Sequence, residues 1–152
     1  MNTENLSPWG ADWVWGLPLT VLTVMFHVVG LRFIKQRVDR RIQYVEKHQT
    51  LSLGVVTLYI TLLHVVEMGL WANMFLFLGA LTDRPTAVLY SLNALTAFGH
   101  TDIELQRKWQ LMGAIESLNG WILFGLSTAY LFVLIQLIWS RDTRTVPLSC
   151  RA

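Results

Sequence analysis

Three stretches of this 152-residue chain are long and apolar enough to cross a bilayer, and a fourth is apolar but too short. The first runs from Trp13 to Leu31, with His27 as its only ionisable side chain beyond Asp12. The second runs from Leu51 to about Leu81 and is interrupted only by His64 and Glu67. The last runs from Leu111 to Trp139, with Glu116 near its start. A hydrocarbon core of about 30 Å takes roughly 20 residues of helix, so each of the three can span. The fourth stretch, Thr86 to Phe98, holds only about a dozen residues, which reads as a re-entrant or buried helix. Irregular backbone at membrane depth survives only where protein or a water-filled cavity covers it, so this segment implies a cavity to line. The expectation is an all-α membrane protein with three transmembrane helices plus a re-entrant segment.

Composition agrees. Only 14% of residues are charged and 53% are hydrophobic, against about a quarter charged in a soluble domain. The placement of charge says more than the net +2. Arg32, Lys35, Arg37, Arg40, Arg41 and Lys47 fall between the first two stretches, and Arg141, Arg144 and Arg151 follow the last. The N-terminal tail carries Glu4 and Asp12 and no basic residue, so the first stretch lacks the positive flank of a secretory signal and reads as a retained helix. By the positive-inside rule the basic link and the C-terminus are expected in the cytoplasm and the N-terminus outside. Trp9, Trp13, Trp15 and Trp109 would then mark the outer interface and Trp139 the inner one. The basic link, Leu31 to Gln49, interleaves its charges with Phe33, Ile34, Val38, Ile42 and Val45. It serves either as a plain topological anchor or as an amphipathic helix lying on anionic lipid. A lone Cys150 excludes an internal disulfide framework. No phosphate loop, zinc-type Cys/His spacing or nucleophile–base set is present, so neither an enzyme nor a nucleic-acid binder is expected.

Ionisable side chains inside the spans need a reason. His64 and Glu67 are three apart on one helix and share a face. An intramembrane acid faces the bundle interior and finds a partner. One reading is a metal or proton site built from His64, Glu67, Glu116 and His27. Carboxylate-bridged metal bundles pair a Glu and a His at this separation, but in the order Glu-x-x-His.

The short segment carries a resemblance. Leu89-Tyr90-Ser91-Leu92-Asn93-Ala94-Leu95-Thr96-Ala97-Phe98-Gly99-His100-Thr101-Asp102 resembles the pore helix and selectivity filter of potassium channels, whose pattern is T-T-x-G-Y-G-D. Thr96 matches the first Thr, Gly99 the first Gly and Asp102 the closing Asp. The flanks are similar to a small bacterial subfamily of the ion-channel family (two-pore-domain type) with an extra N-terminal span. Phe26-His27-Val28-Val29-Gly30, Leu63-His64-Val65-Val66-Glu67-Met68-Gly69-Leu70-Trp71-Ala72, and the last helix from Leu111 to Gly120 and Leu123 to Ala129 carry that likeness. The sequence departs from the pattern where Ala97 replaces the second Thr, His100 replaces Tyr and Thr101 replaces the second Gly.

The resemblance implies a potassium-channel-like pore domain over residues 50–152, preceded by an N-terminal transmembrane helix and basic cytoplasmic link over 1–49. It implies a homotetramer in the bacterial inner membrane, because a ring of filter carbonyls needs several copies. Potassium would be the permeant ion, with no other cofactor, and lipid the only further partner. Thr96, Ala97, Phe98, Gly99, His100, Thr101 and Asp102 would form the filter. His64, Glu67 and Glu116 would be hydrogen-bonded struts behind the pore helix, and Gly120 or Gly125 a hinge in the inner helix. Four His100 imidazoles at an outer mouth would make conduction sensitive to external acid. The alternative is a pore fold that no longer conducts and serves as a structural or regulatory subunit.

Overall fold

The computed structural model describes residues 10–99 and 103–142, the side chains of Glu46, Lys47, Arg141 and Asp142 excepted. Its described residues form helices α1 (Gly10–Arg40), α2 (Ile42–Lys47), α3 (Gln49–Phe77), α4 (Arg84–Leu95) and α5 (Gln110–Asp142), with a 3-10 turn at Arg107–Trp109 before α5. Among them three helical stretches are long and apolar enough to cross a membrane: α1, α3, and the 3-10 turn continued into α5. Three such helices fit a multi-pass membrane protein. Their outward faces fit lipid or further copies of the chain. Val21, Leu22, Met25 and Val29 on α1, Leu58, Leu62, Val65 and Val66 on α3, and Trp121, Phe132 and Val133 on α5 are all exposed.

The basic link is largely the continuation of α1. The helix runs on to Arg40 because buried positions recur at helical spacing past the apolar stretch, at Leu31, Ile34 and Val38. These residues pack with Val45, Val56, Ile60, Leu134 and Ile138 into a core at one end of the bundle. A second core at the other end gathers Leu19, Trp71, Phe75, Ala87, Tyr90, Leu105, Trp109, Met112 and Ile115. Between the two, α1, α3 and α5 turn inward the polar residues Thr23, His27, Glu67, Glu116, Asn119 and Ser127 beside Leu123.

Two helices end in the same hydrogen-bonded cap. After α3, Gly79 takes a left-handed φ of 63°. Its N–H donates to Leu76 O (3.1 Å) and the Ala80 N–H to Phe75 O (2.9 Å). This closes orphan carbonyls as Schellman caps do. After α4, Ala97 takes a φ of 52°, with its N–H on Ala94 O (2.9 Å) and the Phe98 N–H on Asn93 O (3.0 Å). The start of α4 is set by Asp83, whose carboxylate accepts from the Thr86 N–H at 2.9 Å, and by Pro85 in the first turn. Hydrogen bonds from the Thr86 hydroxyl and N–H hold the Asp83 carboxyl below its usual range.

Candidate functional site

The short helix α4 has 12 residues, about 18 Å at 1.5 Å per residue, and so cannot cross. It packs against both α3 and α5. Ala87, Tyr90, Ser91, Ala94 and Leu95 make its buried face. Tyr90 meets Phe75 of α3 edge-on, with ring centroids 5.2 Å apart. On α5, two glycines make room for α4. A Cβ at Gly113 would run into the Tyr90 hydroxyl, and one at Gly120 into the backbone carbonyl of Leu95. Gly120 is therefore where the end of α4 rests on α5. Gly125, the other hinge candidate, has open space around it, and α5 continues as helix through both.

Ser91 fixes α4 laterally. Its hydroxyl reaches Met68 O in α3 at 2.9 Å and also bonds the Glu116 carboxylate of α5. Glu116 is thus the acid behind α4. His64 and Glu67 instead join a separate group with α1 and the middle of α5.

That group is a closed polar ring. His27 Nδ1 lies 2.8 Å from Glu67 Oε1, and His64 Nδ1 lies 3.2 Å from Glu67 Oε2. The other nitrogens converge on one hydroxyl. Ser127 Oγ is 3.0 Å from His27 Nε2 and 3.1 Å from His64 Nε2. The two imidazoles lie 5.0 Å apart, and Phe124 covers His64. His27 and Glu67 are fully buried. With both imidazoles neutral, the ring holds three hydrogens, one on each His and one on Ser127. These fill three contacts: His27 Nδ1–H to Glu67, Ser127 O–H to His27 Nε2, and His64 Nε2–H to Ser127. The fourth, between His64 Nδ1 and Glu67 Oε2, is left with facing lone pairs, and neither atom has a hydrogen-bond partner.

Nearby, Asn119 Nδ2 donates to Thr23 Oγ1 at 2.9 Å, and both residues are fully buried. Further along, the buried Asp12 accepts from the Met112 N–H at 2.9 Å. It thereby supplies the first turn of α5 with a carboxylate that its own sequence lacks. Sequence reasoning named His27, His64, Glu67 and Glu116 but gave Thr23, Ser91, Asn119 and Ser127 no role. The one available signal was helical spacing, since Thr23 stands four before His27 and Asn119 three after Glu116.

Of the filter residues, Thr96 caps α4 and turns its hydroxyl back to Leu92 O at 2.7 Å. Ala97 and Gly99 have positive φ, at 52° and 96°, and Phe98 is 82% exposed. A β-branched Thr at position 97 would be a steric outlier at this φ, so the departure from the expected pattern suits the observed backbone. His100, Thr101 and Asp102 lie outside the described residues. Comparison with protein-family models, curated proteins and solved structures gave no match.

Proposed function

We propose that this chain is a subunit of a membrane channel that passes monovalent cations, potassium foremost, through a homotetrameric pore. The observation that carries the reading is α4. A helix too short to cross sits between two spanning helices, and a loop with positive φ at alternate residues, Ala97 and Gly99, follows it. A carbonyl-lined filter needs backbone that alternates in this way, and L-residues other than glycine resist it. The exposed apolar faces of α3 and α5 support assembly with further copies of the chain. The charge distribution supports an outside N-terminus and a cytoplasmic C-terminus in a bacterial inner membrane.

A second reading is favoured by one specific observation. The Schellman cap at Ala97 uses the carbonyls of Asn93 and Ala94 and folds the chain back over the end of α4. A pore fold closed in this way would serve as a non-conducting structural or regulatory subunit. Potassium and sodium flux into proteoliposomes separates the two, with the double variant His100→Tyr, Thr101→Gly run beside the native protein. Native flux that favours potassium supports the channel. Flux in the variant alone supports a scaffold silenced at the filter. Silence in both, from correctly assembled protein, overturns the conducting reading.

A further inference from the structure

We propose that His27, His64 and Glu67 form a binding site for one transition-metal dication of the zinc type, buried between α1 and α3 with Ser127 as its supporting group. The inference does not rest on the conducting reading and holds whether or not the chain passes ions.

Several features point to a cation at this place. Both imidazoles present the same nitrogen, Nδ1, to the same carboxylate, one to each oxygen, at 2.8 and 3.2 Å. Each residue offers one ligand atom, and the three atoms lie within 4.8 Å of one another. Tetrahedral ligands about 2.1 Å from a common ion stand about 3.4 Å apart, so binding draws the three atoms together by side-chain rotation. The facing lone pairs on His64 Nδ1 and Glu67 Oε2 are the position that lacks a positive charge.

The supporting group is already in place. Metal-bound imidazoles donate their second N–H to a partner that fixes tautomer and ring orientation. Here both Nε2 atoms meet Ser127 Oγ, whose two lone pairs can accept both N–H groups. That arrangement frees both Nδ1 atoms as ligands at once. Two imidazoles and one carboxylate suit zinc, iron, copper or nickel better than magnesium or calcium, which take all-oxygen sets. Because His27 comes from α1 and the other two ligands from α3, a bound ion would tie the first helix to the second span.

The chain has four histidines and one cysteine. The test therefore uses tag-free full-length protein in lipid nanodiscs in the background His48→Ala, His100→Ala, Cys150→Ser, which leaves His27 and His64 as the only imidazoles. Titration with Co²⁺ is expected to develop visible ligand-field bands that saturate at one ion per chain and are displaced by one equivalent of Zn²⁺. The zinc X-ray absorption spectrum should show two imidazoles in the coordination shell. His27→Ala should abolish binding, and Ser127→Ala should weaken it by about 10–100-fold. The absorption spectrum needs no substitution inside the bundle, so the test survives a failure of His27→Ala to fold. Absence of saturable binding in the background, a zinc shell with fewer than two imidazoles, or unchanged affinity in folded His27→Ala would each overturn the site.

Discussion

Glu67 and Glu116 are both fully buried carboxyls on long apolar helices, yet opposite kinds of partner hold them. Glu67 faces two imidazoles drawn from α1 and from its own helix, and a hydroxyl closes the ring behind them. Glu116 meets the Ser91 hydroxyl, which it shares with the backbone of Met68. The first acid sits where a positive charge can be shared among bases. The second sits where a hydroxyl needs an acceptor, and it holds α4 against α5. One membrane interior thus carries two acids with different chemistry, one suited to a cation and one to helix placement.

The difference predicts different responses to removal. Taking away the Glu67 carboxylate leaves the buried His27 Nδ1–H without its acceptor, which costs about 1–3 kcal/mol. Glu67→Ala, measured by unfolding in mixed micelles, should fall in that range. Glu116→Gln keeps an acceptor for Ser91 and should cost less than about 1 kcal/mol. Equal losses at the two positions would break the comparison.

A related effect sharpens the role of Glu116. Ser91→Ala leaves the Glu116 carboxyl and the Met68 carbonyl without their shared donor, at a cost of about 1–3 kcal/mol. The coupling between Ser91 and Glu116 in a double-mutant cycle should be about 0.6–1.7 kcal/mol, the range found for hydrogen bonds inside membranes. Zero coupling would mean that packing at Gly113 and Gly120 alone positions α4.

The caps offer the next contrast. Gly79 adopts its left-handed turn freely, whereas Ala97 carries about 1–2 kcal/mol of backbone strain in the same turn. Ala97→Gly should raise stability by about 1 kcal/mol, while Gly79→Ala should lower it by a similar amount. Strain that persists in the turn after α4 fits the habit of strain to collect at functional positions. A gain at Ala97 accompanied by altered flux would connect the cap to conduction.

The smallest expected effect is at Asp83. Its carboxyl is held low by hydrogen bonds from Thr86, so the folded state binds the proton less readily than the unfolded one. The contribution is complete above the unfolded value near pH 4 and fades as pH falls through the lower folded value. Asp83→Asn should remove this acid-side slope, lowering stability near pH 7 by a small amount and leaving it unchanged at acid pH. An identical slope in the variant would assign it to other carboxyls.

The spans could be read from sequence because apolar length alone decides them, and α4 was found because it is apolar and short. The end of α1 could not be read by hydropathy. The apolar stretch stops at Leu31, while Ile34 and Val38 keep their buried spacing among charged neighbours up to Arg40. His64 and Glu67 were legible as a pair because three residues on one helix share a face. Ser127 was not, because nothing local links it to His27, a hundred residues away. Glu116 looked like a member of the same group, but it stands three residues before Asn119 on α5 and faces α4 and Ser91 instead.

The link between Asp12 and the Met112 N–H has a consequence for biosynthesis. The first helix leaves the ribosome long before the last, so Asp12 has no amide to cap while α1 stands alone in the bilayer. An acid there is costly without a partner, which keeps the beginning of α1 at the headgroup level until α5 is inserted. The chain is then fastened by a contact between its first and last described helices. Until α5 is made, the buried acid at the start of α1 lacks the amide that it accepts from in the folded chain.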